Sequence, residues 1–370
     1  MPLCTEHALR AARDNDTSRE AKSVLDSLAQ SGRPRWAAFL VLSALPVLVT
    51  ANLVGCRGRS PATSSTRHGK SATGSTPVSN SSVAFPLTLT DDKGKRWTFD
   101  KPARRIVSLA PSVTELLFAI GAGDKVVGVT NYCDYPPEAK GKEKIGGFKD
   151  PSQEQVVSLN PDAVIASRGT PDPIIEELSA TGMKVFCVDH EDIRRMLASF
   201  SSVGKIAACS HRAEKVRKQL AGRWDAVLAK TRPLKPAQRP RLLYVVWAEP
   251  LFTAGPGSYA NELIEASGAV NIAADAESDW PQYSLEAAIA KDPQVLLLAA
   301  GPMSGFDVIR EKKLAELKAD KRWRNVSAVK DGRLIVLDED HLGVPGPRLI
   351  DGLKELASAL HPDLFRKSPQ

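Results

Sequence analysis

Apolar positions in residues 199–232 fall on one side of a helix. Phe200, Val203, Ile206 and Ala207, then Val216, Leu220, Trp224, Val227 and Leu228, recur in steps of three and four among Lys and Arg. Apart from Gly204 near its start, no Pro and no cluster of turn residues interrupts the run before Pro233. The pattern predicts one continuous helix of about 45 Å at about 1.5 Å per residue, long enough to join two lobes.

A partial repeat flanks that stretch. Residues 152–165 contain Ser152, Glu154 and Asn160-Pro161 ahead of an apolar strand, and residues 284–297 contain Ser284, Glu286 and Asp292-Pro293 ahead of another, at a constant offset of 132. Two related lobes joined by a rigid strut follow as the expected architecture. In the first lobe, residues 87–99 alternate around Asp92-Lys93-Gly94-Lys95, as a hairpin does. Residues 105–109 read as a strand, Ser112 to Glu115 as a capping box opening a helix, and residues 126–129 as the returning strand. Residues 163–166 and 185–188 are continuous apolar runs, so the sheet is expected to be mostly parallel. In the second lobe, residues 241–247, 295–299 and 333–337 read as strands. A helix over residues 259–267 is capped by Ser258 and stopped by Gly268, and a final helix over residues 349–360 follows a loop that holds His341 and Leu342.

In order and spacing, Arg105-Ile-Val-Ser-Leu-Ala-Pro-Ser-Val-Thr-Glu-Leu-Leu117, Val127-Gly-Val-Thr-Asn-Tyr-Cys-Asp-Tyr-Pro-Pro137, Gly146-Gly-Phe148, Glu154 and Asn160-Pro-Asp-Ala-Val-Ile-Ala166 resemble a known family. It is that of the substrate-binding proteins of ABC importers built on a helical backbone. The cobalamin (vitamin B12) binders are the nearest branch, and ferric-siderophore and haem binders are relatives. The resemblance runs from about residue 85 to the C-terminus. It implies an α/β fold of two Rossmann-like lobes with mostly parallel sheets joined by a single long helix. The implied boundaries are an N-terminal lobe over residues 85–198, the helix over residues 199–232 and a C-terminal lobe over residues 233–370.

The resemblance also implies a ligand cleft between the lobes, faced by Tyr132, Phe148, Ser167, Trp247, Trp280, His341 and Leu342. Aromatic walls suit a broad, flat macrocycle, because dispersion and stacking scale with contact area. Trp247 and Phe148 have core or lid packing as their alternative role. Ser167, His341 and Leu342 stand where the cobalamin branch carries large aromatics. His341 has the chemistry to coordinate cobalt or iron as a neutral imidazole, or to hydrogen-bond backbone in its loop. Arg168 and Arg348 either meet ligand carboxylates or phosphates or brace loops. Glu154 and Glu286, each second in a Ser-capped helix, are expected to pair with arginines of the membrane permease, one from each lobe. A modest closure of the lobes is expected.

Composition refines this picture. The 370 residues carry a net charge of +7, which on its face suggests nucleic acid. However, ten basic and five acidic residues lie before Phe85, leaving 40 basic and 38 acidic from there on, with no general basic footprint. Residues 36–54 form the one long apolar run, preceded by Arg33 and Arg35 and closed by Leu53-Val54-Gly55-Cys56. This resembles a bacterial lipoprotein signal peptide with Cys56 as the lipidated residue, giving a membrane-anchored extracytoplasmic protein. Residues 57–84, rich in Ser, Thr and Gly, read as a disordered tether. Cys133, Cys187 and Cys209 allow one disulfide with one free thiol, with no pairing assigned. His190, His211, His341 and His361 stand apart, and no nucleophile elbow, Cys-x-x-Cys or complete phosphate loop is present. The sequence therefore points to a monomeric binding protein without resident metal or cofactor, and away from an enzyme.

Overall fold

The computed structural model describes residues 83–301 and 310–366. The apolar run, Cys56 and nearly all of the expected tether lie outside them. The N-terminal lobe begins with an antiparallel ribbon, β1 (Leu87–Thr90) with β2 (Arg96–Phe99), as the alternation predicts. Then come β3 (Ile106–Ser108), α1 (Pro111–Ala119), β4 (Val126–Val129), β5 (Glu143–Lys144), α2 (Gln153–Ser158), β6 (Ala163–Ser167), α3 (Asp172–Ala180) and β7 (Val185–Val188). The five strands β3 to β7 make a wholly parallel sheet in the order β5-β4-β3-β6-β7. After helices α4 (Ile193–Ile206) and α5 (Ser210–Thr231), the second lobe supplies β8 (Arg241–Val245), a short ribbon of β9 (Trp247–Ala248) with β10 (Leu251–Phe252), α6 (Tyr259–Ala266), β11 (Val270–Asn271), α7 (Leu285–Ala290) and β12 (Val295–Ala300). It ends with α8 (Arg310–Ala319), α9 (Ser327–Lys330), β13 (Leu334–Asp338), α10 (Glu339–Leu342) and α11 (Leu349–Leu360), ahead of a short terminal helical turn. Its sheet, β11-β8-β12-β13, is also parallel throughout.

The internal repeat is structural. Ser152 Oγ accepts from Gln155 N (3.3 Å) to cap α2, and Ser284 Oγ accepts from Ala287 N (3.1 Å) to cap α7. Each helix ends in a left-handed residue, Asn160 (φ 44°) and Asp292 (φ 43°), a conformation that a short side-chain amide or carboxyl tolerates. The following Pro then turns the chain into β6 or β12. An arginine at the foot of the neighbouring strand ties off each helix end: Arg105 donates to Leu159 O, and Arg241 to Lys291 O and Asp292 O.

The predicted strut is two helices, not one. The buried stripe is present, with Phe200, Val203, Ile206 and Ala207 fully buried and Leu220, Trp224 and Val227 nearly so. Between them Ala208 adopts φ 52°, Ala208 N donates to Lys205 O (3.1 Å) and Cys209 N to Gly204 O (2.7 Å). These two bonds make a Schellman C-cap with alanine where glycine is usual. The helices then run side by side, Leu197 and Ala198 sharing a groove with Arg217 and Trp224. A Cβ on Gly204 would lie 2.4 Å from that of Ala213, so this approach needs glycine. Period 3.6 is the same before and after the reversal, which is why the pattern alone did not show it. The lobe-joining helix is therefore α5, 22 residues and about 33 Å long. Arg212 Nε donates to Ala119 O of the first lobe (3.1 Å) near its start, and Thr231 Oγ1 to Ala266 O of the second (2.7 Å) at its end.

The capping box at Ser112 is also absent. The N-cap of α1 is Ala110, with no side-chain cap, and Pro111 at N1 has no orphan N–H to satisfy. Glu115 turns instead to Arg348, at the N-cap of α11 in the other lobe, whose Nη2 and Nε donate to its Oε1 at 2.6 and 3.1 Å. Glu115 is 3 % exposed, and burial pushes its carboxyl up to about 7 against the pull of the guanidinium. Cys133, Cys187 and Cys209 are all free thiols.

Left-handed alanine costs roughly 1–2 kcal/mol relative to its right-handed form, partly offset by the lower entropy of the unfolded alanine chain. Ala208→Gly is accordingly expected to stabilise the fold by about 0.5–1 kcal/mol, read as a higher denaturant midpoint at unchanged slope; a lower midpoint would remove the Schellman account.

Candidate functional site

In a parallel sheet with helical crossovers, the loops leaving the carboxyl ends of the strands surround a crevice open to ligands. Here those loops place Ala110 and Pro111 after β3, Tyr132 after β4, Ser167 to Gly169 at the end of β6, and His190 with Glu191 after β7. The second lobe faces them with Gly257 to Tyr259 at the start of α6, with Asp279 and Trp280, and with Gly343 to Pro345 after α10. Together they enclose a cavity of about 720 Å³ whose walls come from both lobes.

Aromatic rings form those walls. A Cβ on Gly169 would lie 2.7 Å from Phe148 Cζ, so glycine lets the Phe148 ring lie against the backbone of the β6 loop. Opposite, Trp280 and Tyr259 pack with ring centroids 5.4 Å apart at 60°, the tilted geometry aromatic pairs favour. Tyr259 Oη donates to Gly343 O (3.0 Å), and burial raises its pKa well above the ordinary phenolic value, so it stays neutral. Tyr132 (51 % exposed) and Trp280 (40 %) leave large apolar faces open.

Charge gathers at the rim. Arg168 pairs through Nη1 with Glu191 Oε1 and through Nη2 with Asp279 Oδ2 (3.3 Å), reaching from one lobe to the other. The hydrogen bond it donates to Glu191, above all, raises its pKa. Asp279 is fixed by its carbonyl, which accepts from Gly255 N (2.8 Å).

Of the residues expected at the ligand, the structure brings Tyr132, Phe148, Ser167, Arg168 and Trp280 together around this cavity and leaves four away from it. Leu342 is 2 % exposed in the core, because residues 339–342 are helical and turn it inward. His341, on the same turn, pairs through Nδ1 with Glu355 Oε2 (3.1 Å) on α11. Trp247 sits on the β9–β10 ribbon, its indole N–H donating to Glu249 O (3.0 Å), beside a separate pocket with Arg322 and Trp323. Arg348 braces Glu115 and Asp340 and stacks on Tyr135 at 4.0 Å. Sequence reasoning missed Glu191, Tyr259 and Asp279: Glu191 follows a strand end, Tyr259 opens the helix that Ser258 caps and Asp279 adjoins Trp280, and each was hidden because its partner lies far along the chain. Glu154 and Glu286 stand exposed at matched positions of α2 and α7. Hydrogen bonds from its own backbone N–H and from Ser284 Oγ (3.0 Å) hold the Glu286 carboxyl below its ordinary range.

A larger depression of about 800 Å³ lies beside α1 and α5, but its arginines are already engaged: Arg223 by Asp351, Arg348 by Glu115, and Arg212 by the Ala119 carbonyl. The aromatic cleft is the better-formed site.

His190 lies beneath the cleft, 4 % exposed, with Nε2 at 3.0 Å from Ser199 Oγ. Burial lowers its pKa to about 4, against smaller opposing effects of Asp189 and the Pro345 backbone. The folded protein therefore binds fewer protons than the unfolded chain between that value and the ordinary 6.5, so this contribution to stability is complete above pH 6.5 and is lost as pH falls towards 4. Between pH 7 and 5 the loss is on the order of 2 kcal/mol. His190→Gln should show that much less acid destabilisation in urea melts; Glu115 acts with the opposite sign in both proteins and cancels. Identical pH slopes would mean that His190 does not titrate this way.

A family model for periplasmic binding proteins matches residues 106–341. The chain is 32% identical over 288 residues to an uncharacterized ABC transporter substrate-binding lipoprotein of Bacillus subtilis, YvrC, covering 76% of this chain and 88% of that one. It is 31% identical over 280 residues to a vitamin B12-binding protein of Salmonella typhimurium, covering 75% and 95%. Among solved structures, the periplasmic heme-binding protein RhuT of Roseiflexus sp. superposes with a TM-score of 0.61 at 27% identity, over 71% of this chain and 99% of that one. Two parallel-sheet lobes, the cleft between them and these matches lead to one assignment: the chain belongs to the periplasmic binding protein family, the substrate-binding proteins of ABC importers.

Proposed function

We propose that this protein captures cobalamin or a related corrinoid in the cleft between its lobes and delivers it to an ABC permease outside the cytoplasm. The observation that carries the reading is the set of aromatic faces contributed by both lobes, Tyr132 and Phe148 on one side, Tyr259 and Trp280 on the other, around about 720 Å³. A flat macrocycle gains dispersion from every ring it touches and needs few hydrogen bonds to be held. Ser167, small where the cobalamin branch has an aromatic, leaves room for a substituent on one face. Peripheral amides would find donors and acceptors in Arg168, Glu191 and Asp279. The relative named for vitamin B12 supports the corrinoid reading. Haem is the second reading, favoured by the same flat walls. The role is binding without catalysis, and transfer would rest on Glu154 and Glu286, one exposed carboxylate per lobe. Cys56, closing an apolar run in a Leu-Val-Gly-Cys sequence, would carry a lipid that keeps the receptor at the membrane.

Trp280 reports on occupancy. Titration of the purified protein should give saturable quenching of tryptophan fluorescence by cyanocobalamin, and Trp280→Ala should weaken binding at least tenfold, the scale of losing a central aromatic anchor. Quenching by haemin and not by cyanocobalamin would move the protein to the haem reading. In cells, Glu154→Ala with Glu286→Ala should abolish uptake while leaving ligand affinity within about twofold, since exposed charges set docking and not the cleft; a matching loss of affinity would give these glutamates a structural role instead.

A further inference from the structure

The cleft has more negative charge than positive, and the guanidinium at its rim, Arg168, is already engaged. Its lining holds Lys149 and Arg168 against Asp150, Glu191 and Asp279, and His190 is neutral at pH 7. Arg168 reaches Glu191 within its own lobe and Asp279 across the cleft. Behind them Arg195 Nη1 holds Glu191 Oε2 (3.0 Å) and Asp189 Oδ2 (2.5 Å), and its Nε lies 3.5 Å from Asp192, so the second guanidinium is also matched. Asp279 cannot easily turn away. Its Oδ1 lies 2.7 Å from where a Cβ on Gly257 would be, and Gly257 has φ 85°, a position that admits Asp279 because it carries no side chain.

We propose that the Arg168, Glu191 and Asp279 triad is a charge filter that admits flat ligands with a neutral, amide-type periphery and turns away those bearing carboxylates. The inference deepens the reading of the cleft as a macrocycle site and rests on it. A ligand carboxylate that took Arg168 would leave Asp279 beside it without its cation and Glu191 with Arg195 alone, in a space from which the ligand itself has expelled water. Like charges at that separation are strongly unfavourable where the dielectric is low. An amide instead donates its N–H to the remaining lone pairs of the two carboxylates and leaves every ion pair standing. Since Asp279 comes from the second lobe, the filter is complete only when both lobes face each other across the ligand.

The test uses the full-length protein in detergent and three probes: cyanocobalamin, its monocarboxylate in which one peripheral amide is hydrolysed, and haemin with its two propionates. The parent should bind the monocarboxylate at least tenfold more weakly than cyanocobalamin. In Glu191→Gln with Asp279→Asn that gap should shrink below threefold and haemin affinity should rise at least tenfold. Adding Arg168→Gln should remove both gains. Should the double variant fail to fold by circular dichroism, Asp279→Asn alone is expected to raise haemin affinity at least threefold. Equal binding of the two corrinoids by the parent, or an unchanged gap in a folded double variant, overturns the filter and leaves the corrinoid reading in place. If the parent binds no corrinoid, that reading falls, and haemin alone decides the filter: a gain in the variants supports it, and no gain overturns it.

Discussion

The arrangement of the two lobes depends on one strip of apolar surface that both share. Helices α4 and α5 and the final helix α11 bury Phe200, Val203, Leu220, Trp224, Leu353 and Leu356 in a cluster that continues into Leu116 and Ile120 on one side and Leu242, Leu263 and Ile264 on the other. Two further clusters fill the outer faces of the two sheets separately. Separating the lobes would therefore expose part of the largest core, which opposes wide hinge motion and favours small adjustments at the cleft. Across the same boundary Glu115 and Arg348 form a buried ion pair. Such a pair adds little net stability over an apolar contact, because both charges lose water. Its effect is on geometry: one partner without the other would be costly, and the register of α1 against α11 is fixed accordingly.

With the lobes held in that relation, the cleft becomes a place where strand ends from two sheets converge. The same local device supplies both halves, a Ser-capped helix, an Asn or Asp in the left-handed conformation, a proline and a buried parallel strand, each tied off by an arginine from the adjacent strand. Duplication of the device gives two sets of strand ends, but the cleft is not symmetric. The first lobe contributes Tyr132, Phe148 and the Arg168 loop, and the second contributes Trp280, Tyr259 and Asp279. Stacking surface and charge are thus shared between lobes, so neither lobe forms the cleft alone.

Much of this was legible in the residues. The parallel strands, the hairpin at residues 87–99, the Ser258-capped helix and the final helix follow from apolar runs, alternation and capping residues, which act over a few positions. The repeat at an offset of 132 announced two lobes because identical local chemistry imposes identical local structure. Tyr132, Phe148, Ser167 and Trp280 were expected at the cleft from the family resemblance and Arg168 from its charge, and they line one cavity. What failed were statements needing contacts between distant segments. Ser112 and Glu115 have the spacing of a capping box, yet Glu115 bonds Arg348, 233 residues away. Trp247, His341 and Leu342 were expected at the wall because the family resemblance places their positions there, and of the two roles open to Arg348, ligand contact or loop brace, the fold uses the second.

The sequence by itself determined which stretches become helix or strand, how the two lobes repeat and where the aromatic and charged side chains cluster along the chain. These depend on backbone preference and on burial pattern, which nearest neighbours decide. Tertiary structure alone decided that an apparently continuous helix reverses at Ala208, where close packing of Gly204 on Ala213 accompanies a strained alanine. It alone decided that the short helix at residues 339–342 turns Leu342 inward and His341 onto Glu355. It also set Arg168 between Glu191 and Asp279, since ion pairs form between groups that the fold brings within a few ångströms, whatever their separation along the chain.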